Sequence, residues 1–98
     1  MSDVTIKLVS GVAGLERAPE LMEHLGRWLT RYEPDRAVEG EQWLWTTDDR
    51  SKAARMPFEQ AMDLIKKPVG IRPWDGKPDR PITVFNLEIA RVEVEELL

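Results

Sequence analysis

Ninety-eight residues, 42% of them hydrophobic and 33% charged, make one domain with a single core and exclude global disorder. No apolar run approaches the roughly 18 residues of a membrane span, no basic-then-apolar signal opens the chain, and there is no cysteine, so disulfides, thiolate metal sites and thiol nucleophiles are excluded and a cytoplasmic protein is expected. The net charge of −4 divides into −4 over residues 1–48, +3 over 49–80 and −3 over 81–98, a basic middle between acidic flanks that argues against both a wholly acidic DNA mimic and a wholly basic nucleic-acid binder.

Val4 to Val9 alternates apolar Val4, Ile6 and Leu8 with Thr5 and Lys7, the pattern of a half-buried strand, and Gly11 and Gly14 end it. Pro19 to Leu25 fits a short helix with Pro19 at its first position, or equally an ordered loop, and Gly26 stops it. Trp28 to Tyr32 reads as a second strand. Glu33-Pro34-Asp35 turns the chain, and Arg36 to Glu41 is a polar loop. Gln42 to Thr47 is a third strand, rich in aromatic and β-branched residues, and it places Trp43 as a cross-strand neighbour of Trp28.

Thr47-Asp48 is a helix cap leading into residues 49–55, and Pro57 opens the main helix. There Phe58, Ala61, Met62 and Ile65 fall on one stripe at i, i+3, i+4 and i+7. Lys66 and Lys67 suit its C-terminal end, and Pro68 forbids continuation. A proline-rich loop follows. Pro73, Pro78 and Pro81 fix their own φ and press the residues before them toward extended geometry, while Asp75-Gly76 marks a turn. The chain then enters a long strand from Ile82 to Val94. Its apolar residues change phase between Ile89 and Val92, which predicts a bulge at Ala90-Arg91.

Chemistry-bearing patterns are few. His24 is the single histidine, and without cysteine a transition-metal site would rest on carboxylates alone, so no metal and no cofactor are expected. No nucleophile elbow surrounds Ser2, Ser10 or Ser51, and Gly11-Val12-Ala13-Gly14 lacks the Gly-Lys-Ser/Thr ending of a phosphate loop. Catalysis is not expected. Binding is, through the proline-rich loop, where Arg72, Trp74, Asp75, Lys77 and Arg80 combine the residue types that anchor interfaces on a stiff scaffold. The competing structural role for this loop is a rigid connector with Trp74 folded back on the core. Nucleic acid is the alternative partner, since Lys66, Lys67, Arg72, Lys77 and Arg80 surround Trp74 within the basic 50–80 segment.

Three stretches also carry a likeness. They are Trp28-Leu29-Thr30-Arg31-Tyr32-Glu33-Pro34-Asp35, Trp45-Thr46-Thr47-Asp48, and Arg72-Pro73-Trp74-Asp75-Gly76-Lys77-Pro78-Asp79-Arg80-Pro81-Ile82-Thr83-Val84-Phe85. In this order they resemble a family of small, functionally unassigned proteins encoded in tailed-phage and prophage genomes, over about residues 26–92. The chain departs from that pattern by one residue fewer between Pro73 and Asp75 and by Asp79 where the pattern has Asn. The resemblance implies a phage origin and a bacterial host. It also implies action by contact with a host protein or ribonucleoprotein, as in anti-CRISPR inhibitors of bacterial defence.

The expected architecture is α+β: an antiparallel sheet of three or four strands, the helix from Phe58 to Ile65 on one face, and the proline-rich loop running into the last strand. Pairing of edge strands into a homodimer is left open by the sequence.

Overall fold

Alternation at Val4, Ile6 and Leu8 builds the strand to which most of the others attach. In the computed structural model, which describes residues 3–92, this strand is β1 (Asp3–Gly11). It pairs antiparallel with β2 (Arg27–Tyr32), with β4 (Met56–Pro57) and with β5 (Phe85–Arg91), while β3 (Leu44–Thr47) pairs with β2. Lys7 faces Trp28 and Glu88, and Val4 faces Met56 and Arg91. A strand has two sides, so β2 and β4 share one side of β1 and β5 takes the whole of the other. The N-terminal strand is therefore the hub of the sheet.

The sheet is five-stranded, one more than the three or four expected. The extra strand, β4, has two residues, one of them Pro57, and a segment that short carries no period to read. Pro57 accordingly pairs with Asp3 and does not begin the helix. The main helix, α3 (Phe58–Lys66), lies where expected, but its buried face is turned. Ala61 is fully buried and Leu64 and Ile65 pack on the core, whereas Phe58 is 55% exposed and drops out of the predicted stripe.

Other boundaries shift for local reasons. Pro19–Met22 is a single helical turn, α1, and Asp35–Val38 is another, α2, inside the stretch expected to be a loop. The expected helix over 49–55 is reduced to one 3₁₀ turn at Arg50–Lys52, capped by the Asp49 carboxylate on the Ser51 amide. The last strand begins at Phe85, because Pro81–Val84 forms a 3₁₀ turn before it. The predicted bulge is not in that strand. The register with β5 instead slips between Leu8 and Ser10 of β1, so Val9 is the extra residue. Val94 lies outside the described residues. Trp43 precedes β3, and Trp28 faces Thr47.

The core is one cluster of Val4, Ile6, Leu8, Leu29, Tyr32, Leu44, Ile82 and Phe85, closed by Leu15, Met56 and Ala61. Leu29 and Tyr32 both reach it, although they are three apart, because the register between β2 and β3 slips at Thr30. Gly11 permits this closure. A Cβ there would stand 2.9 Å from the Leu15 Cβ and 2.1 Å from its Cδ2. Among the described residues no helix is long and apolar enough to cross a membrane.

Candidate functional site

The proline-rich loop is a short two-stranded finger. The Val69 amide donates to the Asp79 carbonyl and the Asp79 amide to the Gly70 carbonyl, both at 2.9 Å, with Ile71 opposite Pro78 between them and the tip. At the tip the Arg72 amide donates to the Lys77 carbonyl, and the Gly76 amide to the Arg72 carbonyl. Gly76 has φ +70°, a left-handed conformation that glycine adopts without strain, and so the Asp75-Gly76 signal places the turn correctly.

Asp75 is the centre of the tip. Its Oδ1 accepts the Lys77 amide at 3.0 Å and Arg72 Nε at 3.1 Å, and its Oδ2 accepts the second Arg72 nitrogen at 2.5 Å. The Lys77 amide, with the Arg72 charge beside it, holds the Asp75 carboxyl below the usual carboxylate range. The same guanidinium lies 5.7 Å from the centre of the Trp74 ring. Arg72 is thus gripped from one side by a two-point carboxylate contact and rests against an indole on the other. Trp74 remains 74% exposed, and Ile71 67%. Trp74 is therefore not folded back on the core.

Of the five residues read as a binding set, Arg72, Trp74, Asp75 and Lys77 come together at the tip. Arg80 does not join them. Its Nε donates to the Lys66 carbonyl at 2.8 Å, tying the base of the finger to the C-terminal end of α3. Thr83 then closes a turn onto the Arg80 carbonyl. Just beyond, the Ile82 amide donates to the Tyr32 hydroxyl at 3.2 Å inside the core. Burial pushes the Tyr32 phenol up to about 12. Ile71, outside the predicted set, also faces solvent, opposite Pro78 in the finger.

A second constellation forms around His24. Thr46 Oγ1 lies 2.7 Å from His24 Nδ1 and accepts Arg27 Nε at 3.0 Å, while the Arg27 guanidinium also donates to the Thr46 carbonyl at 3.1 Å. A hydroxyl gives one hydrogen bond and accepts two, so with Arg27 as donor it can still give its proton to an unprotonated Nδ1 or accept from a protonated one, according to the tautomer. Loss of solvent lowers the His24 pKa, Glu23 at 3.8 Å from Nε2 opposes that, and Arg27 adds to it. Two adjoining clefts of about 360 and 410 Å³ flank this group and share Glu23, His24 and Gln42. Among the described residues no three His, Asp or Glu side chains converge to hold a metal ion.

Cations also cover the tryptophans of the sheet. Lys7 Nζ stands 4.8 Å from the Trp28 ring, and Arg31 and Arg36 lie 4.7 and 5.9 Å from the Trp45 ring. The two arginines converge on Glu33, whose Oε2 is 2.7 Å from Arg31 and 3.7 Å from Arg36. That oxygen is buried without an aligned hydrogen bond, so its compensation is Coulombic. Trp43 packs edge-on to Tyr32 with ring centres 5.9 Å apart. Trp28, Trp45 and Trp74 thus each carry a cation from the chain itself, and of the three Trp74 offers the most surface to solvent.

No family model matches the chain, and no curated protein or solved structure matches it.

Proposed function

We propose that the chain is a non-enzymatic binding protein of phage type that presents the 69–80 finger to a protein of its bacterial host, and that the target is a defence complex. The observation that carries the binding part is Trp74. It is a large aromatic side chain, 74% exposed, on a tip whose backbone and neighbouring arginine are already fixed. An exposed tryptophan gains most when it is buried by a partner, and a prearranged tip loses little conformational freedom on docking. The phage origin and the defence target rest on the resemblance of the 26–92 stretch.

Nucleic acid is the weaker partner for this surface. Three of the cations near Trp74 in sequence already have anionic or carbonyl partners: Arg72 on Asp75, Lys67 on Asp35 at 3.2 Å, and Arg80 on the Lys66 carbonyl. Each would have to exchange that partner for a phosphate.

The test is affinity capture with the tagged chain from bacterial lysates expressing candidate defence systems, with and without nuclease. A stoichiometric protein partner that persists after nuclease and is lost with Trp74→Ala is the expected result. Recovery that disappears with nuclease would assign the surface to nucleic acid instead. A partner that is retained by Trp74→Ala would remove the finger from the interface.

A further inference from the structure

The outer side of β5 carries a row of backbone groups with no partner among the described residues. Which groups these are follows from alternation along an antiparallel ladder, where every second residue turns its N–H and C=O toward the neighbour. The Val92 amide donates to the Asp3 carbonyl and the Val12 amide to the Val84 carbonyl. Residues 84, 86, 88, 90 and 92 therefore face β1, and the slip at Val9 lies in β1 and leaves this order intact. Phe85, Leu87, Ile89 and Arg91 face away. The Phe85 amide is spent on the Ile82 carbonyl, so the outward pairs that remain complete belong to Leu87, Ile89 and Arg91.

Exposed edges are ordinarily blunted by proline, by lysine, by a bulge or by brevity. The opposite edge, β3, is four residues long. β5 is seven residues of regular strand with no proline, no lysine and no bulge of its own. Leu87 and Ile89 are packed on the core and still only half-buried, and among the described residues no strand lies beyond them on the outer side.

We propose that β5 pairs antiparallel with β5 of a second copy of this chain, across a two-fold axis at Ile89, to give one continuous sheet. Two-fold symmetry allows only registers in which a residue lies opposite itself, because opposed residues must point to the same face. Centring on Glu88 sets two carboxylates opposite each other in the close, non-hydrogen-bonded type of pair. Centring on Leu87 spends a rung on Phe85, whose amide is taken. Centring on Ile89 sets Leu87 opposite Arg91 of the other copy and Glu88 opposite Ala90. It uses every complete outward pair and opposes no like charges. The paired Ile89 side chains and the Leu87–Arg91 contacts extend the apolar face of the sheet across the axis.

This surface is separate from the finger, so either reading can fail alone. A strand-to-strand contact of this length is smaller than a standard interface, and the association should depend visibly on concentration. Sedimentation of the full chain over a concentration series should show a monomer passing to a dimer, with no growth beyond it. Amide exchange should slow with concentration at Leu87, Ile89 and Arg91, while Glu88 and Ala90 stay protected throughout. Arg91→Pro removes an outward N–H without touching the ladder to β1, and should shift the equilibrium to monomer with an unchanged circular dichroism spectrum. A chain that stays monomeric, assembles beyond a dimer, or dimerises with those three amides still exchanging freely would overturn the proposal, and the exchange readout decides the matter even if the proline variant misfolds.

Discussion

The hydroxyl of Tyr32, at the end of β2, accepts the amide of Ile82, fifty residues further along the chain, at 3.2 Å inside the core. This single bond fixes where the chain re-enters the domain after the finger. Tyr32→Phe leaves the Ile82 amide buried with no acceptor, which costs roughly 1–3 kcal/mol. Chemical denaturation should register that loss, and the Ile82 amide should exchange faster than in the parent. Equal stability would mean that water or another acceptor takes over.

Trp74 rests on no part of the core. Trp74→Ala should therefore change the unfolding free energy by less than about 0.5 kcal/mol. The same variant should lose the most readily quenched component of the tryptophan fluorescence in an acrylamide titration. Trp28, Trp43 and Trp45 are half-buried and should supply the protected component. A large stability loss on this substitution would show that the indole packs against the domain.

The clamp at the tip should open in acid. The folded pKa of Asp75 is depressed, chiefly by the Lys77 amide and then by Arg72. Its contribution is thus present above the unfolded carboxylate value, about 3.9, and is lost as the pH falls through the lower folded value. In an NMR titration the Asp75 carboxyl should have its midpoint below 3.9, and the Lys77 amide should shift with it. A midpoint at or above the ordinary value would contradict the clamp. Asp75→Asn should abolish the Lys77 transition.

His24 works in a higher window with the same sign. Burial depresses its pKa, so the fold favours the neutral ring, and that preference is fully present above the unfolded value of about 6.5. Stability should fall as the pH drops from there through the lower folded pKa, as the ring protonates. Thermal melts of the parent should show this decline. His24→Leu should flatten it between about pH 6.5 and the folded pKa, leaving only the carboxylate transitions at lower pH. A parent whose stability does not decline over that interval would count against a buried neutral imidazole.

Two glycines should respond to alanine for different reasons. At Gly76 a Cβ meets nothing within 4 Å, and only the left-handed backbone resists it, at about 1–2 kcal/mol. At Gly11 the backbone is ordinary but the new methyl runs into the buried Leu15, and overpacking costs about 1–3 kcal/mol. Circular dichroism melts should show both losses. Leu15→Ala should relieve the part of the clash made by the Leu15 Cδ2 in the Gly11→Ala background, though not the contact with its Cβ, and none of the cost in the Gly76→Ala background.

Much of the local structure is legible in the chain, since the forces that set it act between near neighbours. Alternation marks β1 and β2, the proline after Lys67 ends α3, and Asp75-Gly76 marks the finger's turn. The cluster of Arg72, Trp74, Asp75 and Lys77 is legible for the same reason, because a turn brings residues a few positions apart together. Long-range geometry decided the rest. Phe58 belongs to the helix's apolar stripe by sequence, yet α3, packed against β1 and β4, leaves it in solvent. Arg80 reads as a contact residue until the end of α3 supplies a carbonyl for it. The bulge went to β1 and not to β5, since the register of two paired strands is a property of both, and no pattern along one of them says which holds the extra residue. The hub role of β1, and the unpaired edge it leaves on β5, exist only once strands distant in sequence have taken their places beside it.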